Sequence, residues 1–184
     1  MSKLILFNMM TLDGFVAGPN NEIDWHHVDA EFNDFATAQL DTAGGLVFGR
    51  ITYLGMAAWW PTPQGIADDP DVASRMNAIP KYVFSRTLQS ADWSNSHLIK
   101  GEALHEMMML KKETDKDLFI FGSANLAGTF TAARLIDEYR LMLNPVVLRR
   151  GIPLFQGGPE PIELKLSNTW PFKSGNVLLT YTPV

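Results

Sequence analysis

The 184-residue chain contains no cysteine. This absence excludes disulfide bonds, thiolate catalysis and metal centres with cysteine ligands. Histidine is also scarce, and the four that are present (His26, His27, His97 and His105) include no pair at the spacing with which two ligands on one helix bind a metal. We therefore expect no metal site.

Long apolar runs and a basic surface are missing as well. No apolar segment approaches the roughly 18 residues of a membrane span, and no basic segment followed by an apolar stretch suggests a signal peptide. The formal net charge is -5, with both signs mixed along the chain, which argues against binding to nucleic acid. We expect a cytoplasmic protein that binds neither membranes nor nucleic acid.

Three common nucleotide-binding and catalytic motifs are absent. G-x-G-x-x-G cannot occur, because no two of the 14 glycines lie two positions apart. No glycine precedes a lysine, so there is no P-loop, and G-x-S-x-G is also missing. The sequence therefore excludes an ordinary Rossmann domain and the usual signatures of nucleotide hydrolases and serine hydrolases.

The apolar patterning predicts strands that alternate with helices. Strands are predicted at residues 3–10, 44–49, 81–85 and 118–122, and helices at 29–40, 52–59, 71–78 and 102–114. Asp29 is the predicted N-cap of the first helix. This order is typical of a mainly parallel sheet with helices on both faces. Because 46% of the residues are hydrophobic and no linker divides the chain, we expect one domain over residues 1–184.

The C-terminal part of the sequence has a different pattern. Residues 136–148, 161–170 and 176–184 predict antiparallel strands without intervening helices, and residues 173–176 predict a hairpin turn. Residues 163–167 alternate strictly between polar and apolar, which predicts a strand with one buried and one solvated face.

Three predicted strand ends carry residues suited to binding phosphate: GRIT at 49–52, SRT at 85–87 and GSANL at 122–126. In an open α/β sheet, ligands bind at the carboxyl ends of the strands, where glycine and helix N-termini let anions approach. Each segment also has a structural explanation, since Arg50 and Arg86 can be solvated and Ser123 can cap a helix. Their coincidence at one sheet edge favours a phosphate site.

Five segments in this order resemble the dihydrofolate reductase-like family, which includes the reductase domain of bifunctional riboflavin-biosynthesis deaminase-reductases. They are TLDGFVAGPNNEIDW (11–25), GRITYLGM (49–56), KYVFSRTL (81–88), FGSANL (121–126) and IDEYRLMLNPVVL (136–148). The resemblance implies an α/β fold with a mixed, mostly parallel sheet of about eight strands flanked by helices and with antiparallel C-terminal strands. It also implies NADPH as the cofactor and a homodimer.

The resemblance also implies which residues hold the cofactor. Phosphates would contact Gly49, Arg50 and Thr52 at one helix start, and Gly122, Ser123, Ala124 and Asn125 at a second. Arg50, Ser85 and Arg86 would bind the 2′-phosphate, and Val16, Ala17 and Gly18 would contact the nicotinamide ring. A guanidinium binds a phosphate monoester well, whereas the 2′-hydroxyl of NADH usually meets a carboxylate, so we expect NADPH rather than NADH.

The activity implied by the resemblance is hydride transfer to a small heterocyclic substrate of pteridine, folate or pyrimidine type. Asp13 is the first candidate for a proton relay or a polar substrate contact, although an Asp before Gly is also a common turn residue. In folate-reducing relatives a carboxylate on the first helix binds the pterin, and Asp29, Glu31 and Asp34 compete for that place. Asp29 is the catalytic candidate among them, with a simple helix cap as the alternative.

Aromatic residues and two departures from the family bear on the substrate. Trp25, Phe32 and Trp60 are candidates to wall a flat substrate. Phe121 stands where riboflavin-pathway reductases usually carry an acidic residue, which argues against a ribosylaminopyrimidine substrate, and Arg149 stands where relatives often have glycine. A non-catalytic NADPH-binding or dimerising interaction protein of the same fold stays open as the alternative, because fold does not establish chemistry.

Overall fold

The computed structural model describes residues 1–156, 158 and 160–184, which form strands and helices in alternation. The strands are β1 Leu4–Thr11, β2 Phe15–Ala17, β3 Ala43–Gly49, β4 Lys81–Phe84, β5 Ser96–Ile99, β6 Asp117–Phe121, β7 Glu138–Asn144, β8 Ile152–Pro153, β9 Leu164–Pro171 and β10 Val177–Pro183. The helices are α1 Ala30–Asp41, α2 Arg50–Ala57, α3 Pro63–Asp68, α4 Pro70–Ala78, α5 Ala103–Glu113 and α6 Ala124–Ala132.

Eight strands form one sheet in the order β5-β4-β3-β6-β1-β7-β10-β9. The neighbours from β5 to β7 pair in parallel, and β10 pairs antiparallel with both β7 and β9. This topology confirms the predicted α/β fold, with a mostly parallel sheet and antiparallel strands at the C-terminal end. The predicted hairpin turn at residues 173–176 joins β9 to β10, with Gly175 at a φ of 90°.

Several elements were not predicted from the sequence. The prolines after α2 were expected only to end a helix, but Pro63 begins α3, with the Thr62 hydroxyl accepting from the Gly65 N–H. Proline suits this first helical position because it needs no N–H donor there. The short strand β5 and the small β2–β8 pair were also missed.

Two apolar layers cover the two faces of the sheet. Leu4, Leu6 and Met10 of β1 belong to a buried cluster that includes Phe130 of α6. The alternate residues Phe7 and Met9 pack on the opposite face, in a cluster with Phe32 and Phe35 of α1. Successive strand residues point to opposite faces, so β1 contributes to both layers. None of the helices formed by the described residues is long and apolar enough to cross a membrane.

The outer strand β9 departs from its predicted pattern. Its alternation predicted one buried face, yet Leu166 is 48% exposed and Trp170 is 44% exposed. β9 is the last strand of the sheet and pairs only with β10 among the described strands. All residues of β9 except Leu164 are exposed, and among the described strands its outer edge has no partner.

Candidate active site

The three segments predicted to bind phosphate lie at one edge of the sheet. Gly49, the last residue of β3, is opposite Phe84, the last residue of β4. β6 ends at Phe121 and runs parallel to β3, so its carboxyl end lies at the same edge. The helices α2 and α6 begin directly beyond β3 and β6. The edge is the one at which open α/β sheets bind ligands.

Two hydrogen bonds join the starts of α2 and α6. The Gly49 N–H donates to the Ser123 hydroxyl at 2.7 Å, and the Ser123 N–H donates to the Thr52 hydroxyl at 2.9 Å. Gly122 has a φ of 63°, and a Cβ added to it would lie 3.0 Å from the Thr52 methyl carbon. Only glycine fits this close approach of the two chain segments without strain.

These two helices also differ from the others in their N-terminal capping. The described side chains provide no cap for α2 or α6, and neither helix has an acidic residue in its first turn. The other four helices are capped by a side chain: Asp29, Thr62, Asp69 and Glu102. Unpaired N–H groups and the positive end of the helix dipole make an uncapped helix start a site for an anion. Here two such starts adjoin each other.

Cationic side chains flank this edge. Arg50 is the first residue of α2 and is exposed, and Arg86 is exposed in the loop after β4. The Ser85 hydroxyl accepts from the Thr87 and Leu88 N–H groups, which shapes that loop. Glu102 caps α5 nearby, and hydrogen bonds from N–H groups of α5, with the charge of Arg86 as a smaller cause, lower its pKa.

The first loop lies beside β1. Val16 and Ala17 belong to β2, Ala17 pairs with Ile152 of β8, and Gly18 follows directly. The Gly18 N–H donates to the Glu22 carbonyl at 2.8 Å, which closes the following turn. The predicted contact of these three residues with a nicotinamide ring stays a prediction.

Asp13 joins the first loop to a second one. Its carboxylate accepts from the Thr11 hydroxyl at 2.7 Å and from the Leu148 and Arg149 N–H groups at 3.1 and 2.7 Å. The hydrogen bond from Thr11, followed by those from the backbone, lowers the pKa of Asp13. An ionised carboxylate at neutral pH follows, and it fastens the two loops together. Its role as a relay stays a prediction.

The acidic residues at the start of α1 have structural contacts. Asp29 caps the helix as predicted, accepting from the Phe32 N–H at 2.9 Å. Glu31 accepts from the Lys173 N–H at 2.9 Å and so connects α1 to the β9–β10 turn, whereas Asp34 is exposed. A catalytic role for Asp29 stays a prediction.

The three aromatic residues predicted to wall the substrate do not form one group among the described residues. Phe32 packs in the cluster beneath α1, while Trp60 packs against a different cluster and donates from its ring N–H to the Met56 sulfur at 3.2 Å. Trp25 lies edge-on against His26, with ring centroids 4.5 Å apart. Phe7, which the sequence did not single out, has a half-buried ring that lies 5.7 Å from the half-buried ring of Phe121, where the pairing of β1 with β6 ends.

Several buried polar atoms have no hydrogen-bond partner among the described residues: Asn8 Oδ1, His26 Nε2 and Asn176 Oδ1. Burial lowers the pKa of His26 to about 4. The neighbouring His27 backbone is held by Asn144, which accepts from its N–H, and by Asn176, which donates to its carbonyl. The sequence signal for Asn8 is its position as the one polar residue within the apolar run LILFNMM.

Two cavities lie outside the predicted site. One of about 360 Å³ lies between α6 and the segment leading to β9, where Thr131, Tyr139 and Phe155 line it. Another of about 420 Å³ lies beside α2, where Tyr53, Leu54 and Trp93 are among its lining residues. The residues predicted to bind the cofactor line neither of them and lie instead at the strand ends, the two uncapped helix starts and the first loop.

The sheet order, a parallel core followed by antiparallel β10 and β9, belongs to the dihydrofolate reductase-like fold class. More particularly, the chain belongs to the RibD C-terminal domain family, whose model matches residues 2–178. The uncharacterized protein YyaP of Bacillus subtilis (strain 168) is 36% identical over 181 residues, which cover 97% of this chain and 94% of YyaP.

Solved structures share the fold at lower identity. A putative riboflavin biosynthesis protein from Shewanella sp. PV-4 has a TM-score of 0.77 at 22% identity, covering 99% of both chains. Dihydrofolate reductase from Enterococcus faecalis, complexed with NADP(H), has a TM-score of 0.67 at 15% identity, covering 98% of this chain and 96% of its own. The family and the fold agree with the resemblance read from the sequence.

Proposed function

We propose that the protein is a cytoplasmic, NADPH-dependent reductase that transfers a hydride to a small heterocyclic substrate of pteridine, folate or pyrimidine type. The observation that carries this proposal is the pair of uncapped helix starts, α2 and α6, joined by the Gly49–Ser123 and Ser123–Thr52 hydrogen bonds. The exposed cations Arg50 and Arg86 flank them.

The residues present fit the anionic parts of NADPH. The cofactor carries a pyrophosphate and a separate 2′-phosphate, and the edge offers two helix starts and two guanidinium groups. Gly49, Arg50 and Thr52 with Gly122 to Asn125 would hold the pyrophosphate, and Arg50, Ser85 and Arg86 the 2′-phosphate. The related fold of a dihydrofolate reductase complexed with NADP(H) supports a ligand of this kind.

NADPH, when bound, supplies the hydride. The chain must orient the reactants and keep water away from them. The half-buried rings of Phe7 and Phe121 meet just before Gly122 and offer an apolar wall for a flat substrate, and Phe32 packs against the same cluster as Phe7. Asp13, with its lowered pKa, would act at neutral pH as an ionised group that positions the loops or accepts a proton, rather than as a proton donor.

Isothermal titration with NADPH and separately with NADH tests the proposal. We expect tight binding of NADPH, weak binding of NADH, and a loss of roughly 1 to 3 kcal/mol for NADPH in Arg50→Ala and in Arg86→Ala. Lys112→Ala is the matched control, since it removes one exposed positive charge at the far end of α5. If the folded protein binds neither nucleotide, the proposal is wrong.

The non-catalytic alternative makes a different prediction. A binding protein of this fold would retain NADPH affinity but would not consume NADPH with dihydrofolate, pteridines, quinones or pyrimidine intermediates. Screening the wild-type protein against this panel separates the two proposals, because turnover with any of these substrates excludes the alternative.

We also propose a homodimer formed through the β9 end of the sheet. Leu166 and Trp170 are exposed there, and a second copy pairing with the open strand would bury them and satisfy its backbone groups. Light scattering coupled to gel filtration should give the mass of a dimer, and that of a monomer for Leu166→Lys. A wild-type monomer at micromolar concentration would contradict the proposal.

A further inference from the structure

Asn8 lies in the middle of β1, in a setting that is otherwise apolar. Leu6 and Met10, two positions away on either side, point to the same face and pack in the buried cluster of that face. Asn8 is only 3% exposed, and no described residue donates to its Oδ1 atom. A buried amide oxygen without a hydrogen-bond donor lowers the stability of the fold, so we expect a bound molecule to supply the donor.

The sheet opens beside Asn8. The pairing of β1 with β6 ends at Phe7 and Phe121, after which β6 turns away through Gly122 into α6. β1 continues to Thr11, paired with β7 on its other side. From Asn8 onward, no described strand pairs with the side of β1 that had faced β6, so the sheet divides there between β1 and the chain leading into α6.

The first loop covers the same face of β1. Val16 of β2 packs against the buried cluster to which Leu6 and Met10 belong, so β2 lies on the face of the sheet from which the Asn8 side chain projects. Asn8 thus directly follows the last β1 residue paired with β6, the strand that leads into the helix starts proposed to bind the pyrophosphate. It also projects from the face on which β2, proposed to contact the nicotinamide ring, packs. The position suits a group that recognises the ring end of the cofactor.

We propose that the Asn8 side chain binds the carboxamide of the nicotinamide ring, an inference that rests on the proposed function. The carboxamide is a primary amide with two N–H donors and one acceptor, and an asparagine amide complements it as acceptor and donor. Such a bond fixes the rotation of the ring and thus the face presented to the substrate. It also gives Asn8 Oδ1 the donor that the described residues do not provide.

Two cofactors and one substitution test this inference by titration. The second cofactor is the reduced 3-acetylpyridine analogue of NADPH, in which a methyl group replaces the amide NH₂. The wild type should bind NADPH about tenfold more tightly than the analogue, as expected for one lost hydrogen bond in a buried site. Asn8→Leu should bind NADPH about tenfold more weakly than the wild type does. Its affinity for the analogue should stay within about twofold of the wild-type affinity for the analogue.

Two controls separate this role from a structural one. Met10→Leu, an apolar exchange on the same face of β1, should leave the preference for NADPH unchanged. Unliganded Asn8→Leu should melt no lower than the wild type, because the substitution removes an unsatisfied buried group. If Asn8→Leu does not fold, Asn8→Ala replaces it in the titrations. The comparison of NADPH with the analogue in the wild-type protein tests the inference without any variant.

The outcomes are distinct. Equal wild-type affinities for NADPH and the analogue, or an equal loss for both in Asn8→Leu, overturn the assignment of Asn8 while leaving the reductase proposal intact. The second result would fit an asparagine that holds an internal water. If the folded wild type binds neither cofactor, the proposed function fails and this inference falls with it. The assignment is supported if Asn8→Leu loses the preference for NADPH over the analogue while the wild type and Met10→Leu keep it.

Discussion

The backbone N–H of Ser123 donates to the hydroxyl of Thr52 across 2.9 Å, although 71 positions separate the two residues in the chain. The Ser123 hydroxyl in turn accepts from the Gly49 N–H. Ser123 has a left-handed backbone with a φ of 58°, which is uncommon for a residue other than glycine. These contacts hold both helix starts in place without a ligand, which lowers the ordering cost of binding.

Replacing Thr52 with valine should weaken this junction. Thr52→Val keeps the shape of the side chain but leaves the Ser123 N–H without its acceptor, so we expect the free energy of unfolding to fall by about 1 to 2 kcal/mol. Urea denaturation measures this loss, and amide hydrogen exchange at Ser123 should accelerate. Thr52→Ser retains the hydroxyl and should retain most of the stability; if it loses as much as Thr52→Val, the hydrogen bond is not the cause.

Gly122 and Gly128 form a matched pair for testing the close approach. Gly122→Ala places a Cβ 3.0 Å from the Thr52 methyl carbon at a residue with a φ of 63°, so we expect a loss of roughly 1 to 3 kcal/mol. Gly128 lies within α6, where an added Cβ meets nothing within 4 Å. Gly128→Ala should therefore stabilise the protein by up to about 1 kcal/mol, because alanine has the better helix propensity. Thermal melts of both variants measure the two changes in stability. Equal changes would show that the space and backbone geometry at Gly122 are not what requires glycine there.

Features set by neighbouring residues could be predicted from the sequence. The Asp29 cap depends on Phe32, three positions away, and the strand ends at Gly49 and Phe121 follow from short apolar runs that end at or just before a glycine. The order of strands and helices also predicted that the three phosphate-type segments meet at one edge of the sheet, since parallel strands end at the same edge.

Features set by distant partners could not be predicted in the same way. The Ser123–Thr52 hydrogen bond and the contacts of Asp13 with the 148–149 backbone appear only once the chain is folded. Leu166 shows the same limit, because its alternating pattern fits a half-buried strand but the residue is 48% exposed in the outermost strand of the sheet. Asn8 was readable as an anomaly in an apolar run, yet its lack of a partner depends on where β6 ends.

Lys81 provides a test by pH. The residue is fully buried, donates to the carbonyls of Asn77 and Ser94 at 2.8 and 2.9 Å, and lies 4.3 Å from the centre of the Trp93 ring. Burial lowers its pKa from 10.5 to about 8. Between these two values the unfolded chain binds more protons at Lys81 than the folded chain does, so this residue makes stability rise with pH, by up to about 1.4 kcal/mol per unit.

The variant Lys81→Met should lack this contribution. We expect a smaller slope of unfolding free energy against pH between 8 and 9.5 than in the wild type, measured by urea denaturation. The window stops there because burial raises the pKa of Tyr82 and Tyr139 above the ordinary 10, and their titration lowers stability at higher pH. Lys112→Met, at an exposed lysine, should retain the wild-type slope; equal slopes in all three proteins would contradict the lowered pKa of Lys81.

Arg149 has a φ of 68°, a left-handed conformation that costs a side-chain-bearing residue roughly 1 to 2 kcal/mol but suits glycine. Its N–H donates to Asp13 at 2.7 Å, a contact that glycine would keep because it belongs to the backbone. Arg149→Gly should therefore leave the loop junction intact and raise the free energy of unfolding by about 0.5 to 1 kcal/mol, the relief of strain exceeding the greater chain entropy of glycine. Arg150→Gly removes the same charge at a neighbour without a positive φ, and it should destabilise by a similar amount. Urea denaturation measures both changes in unfolding free energy. A gain for Arg149→Gly with a loss for Arg150→Gly would assign the effect to backbone conformation. A loss of stability in both variants would show that the contacts of the Arg149 side chain stabilise the protein by more than the backbone strain destabilises it.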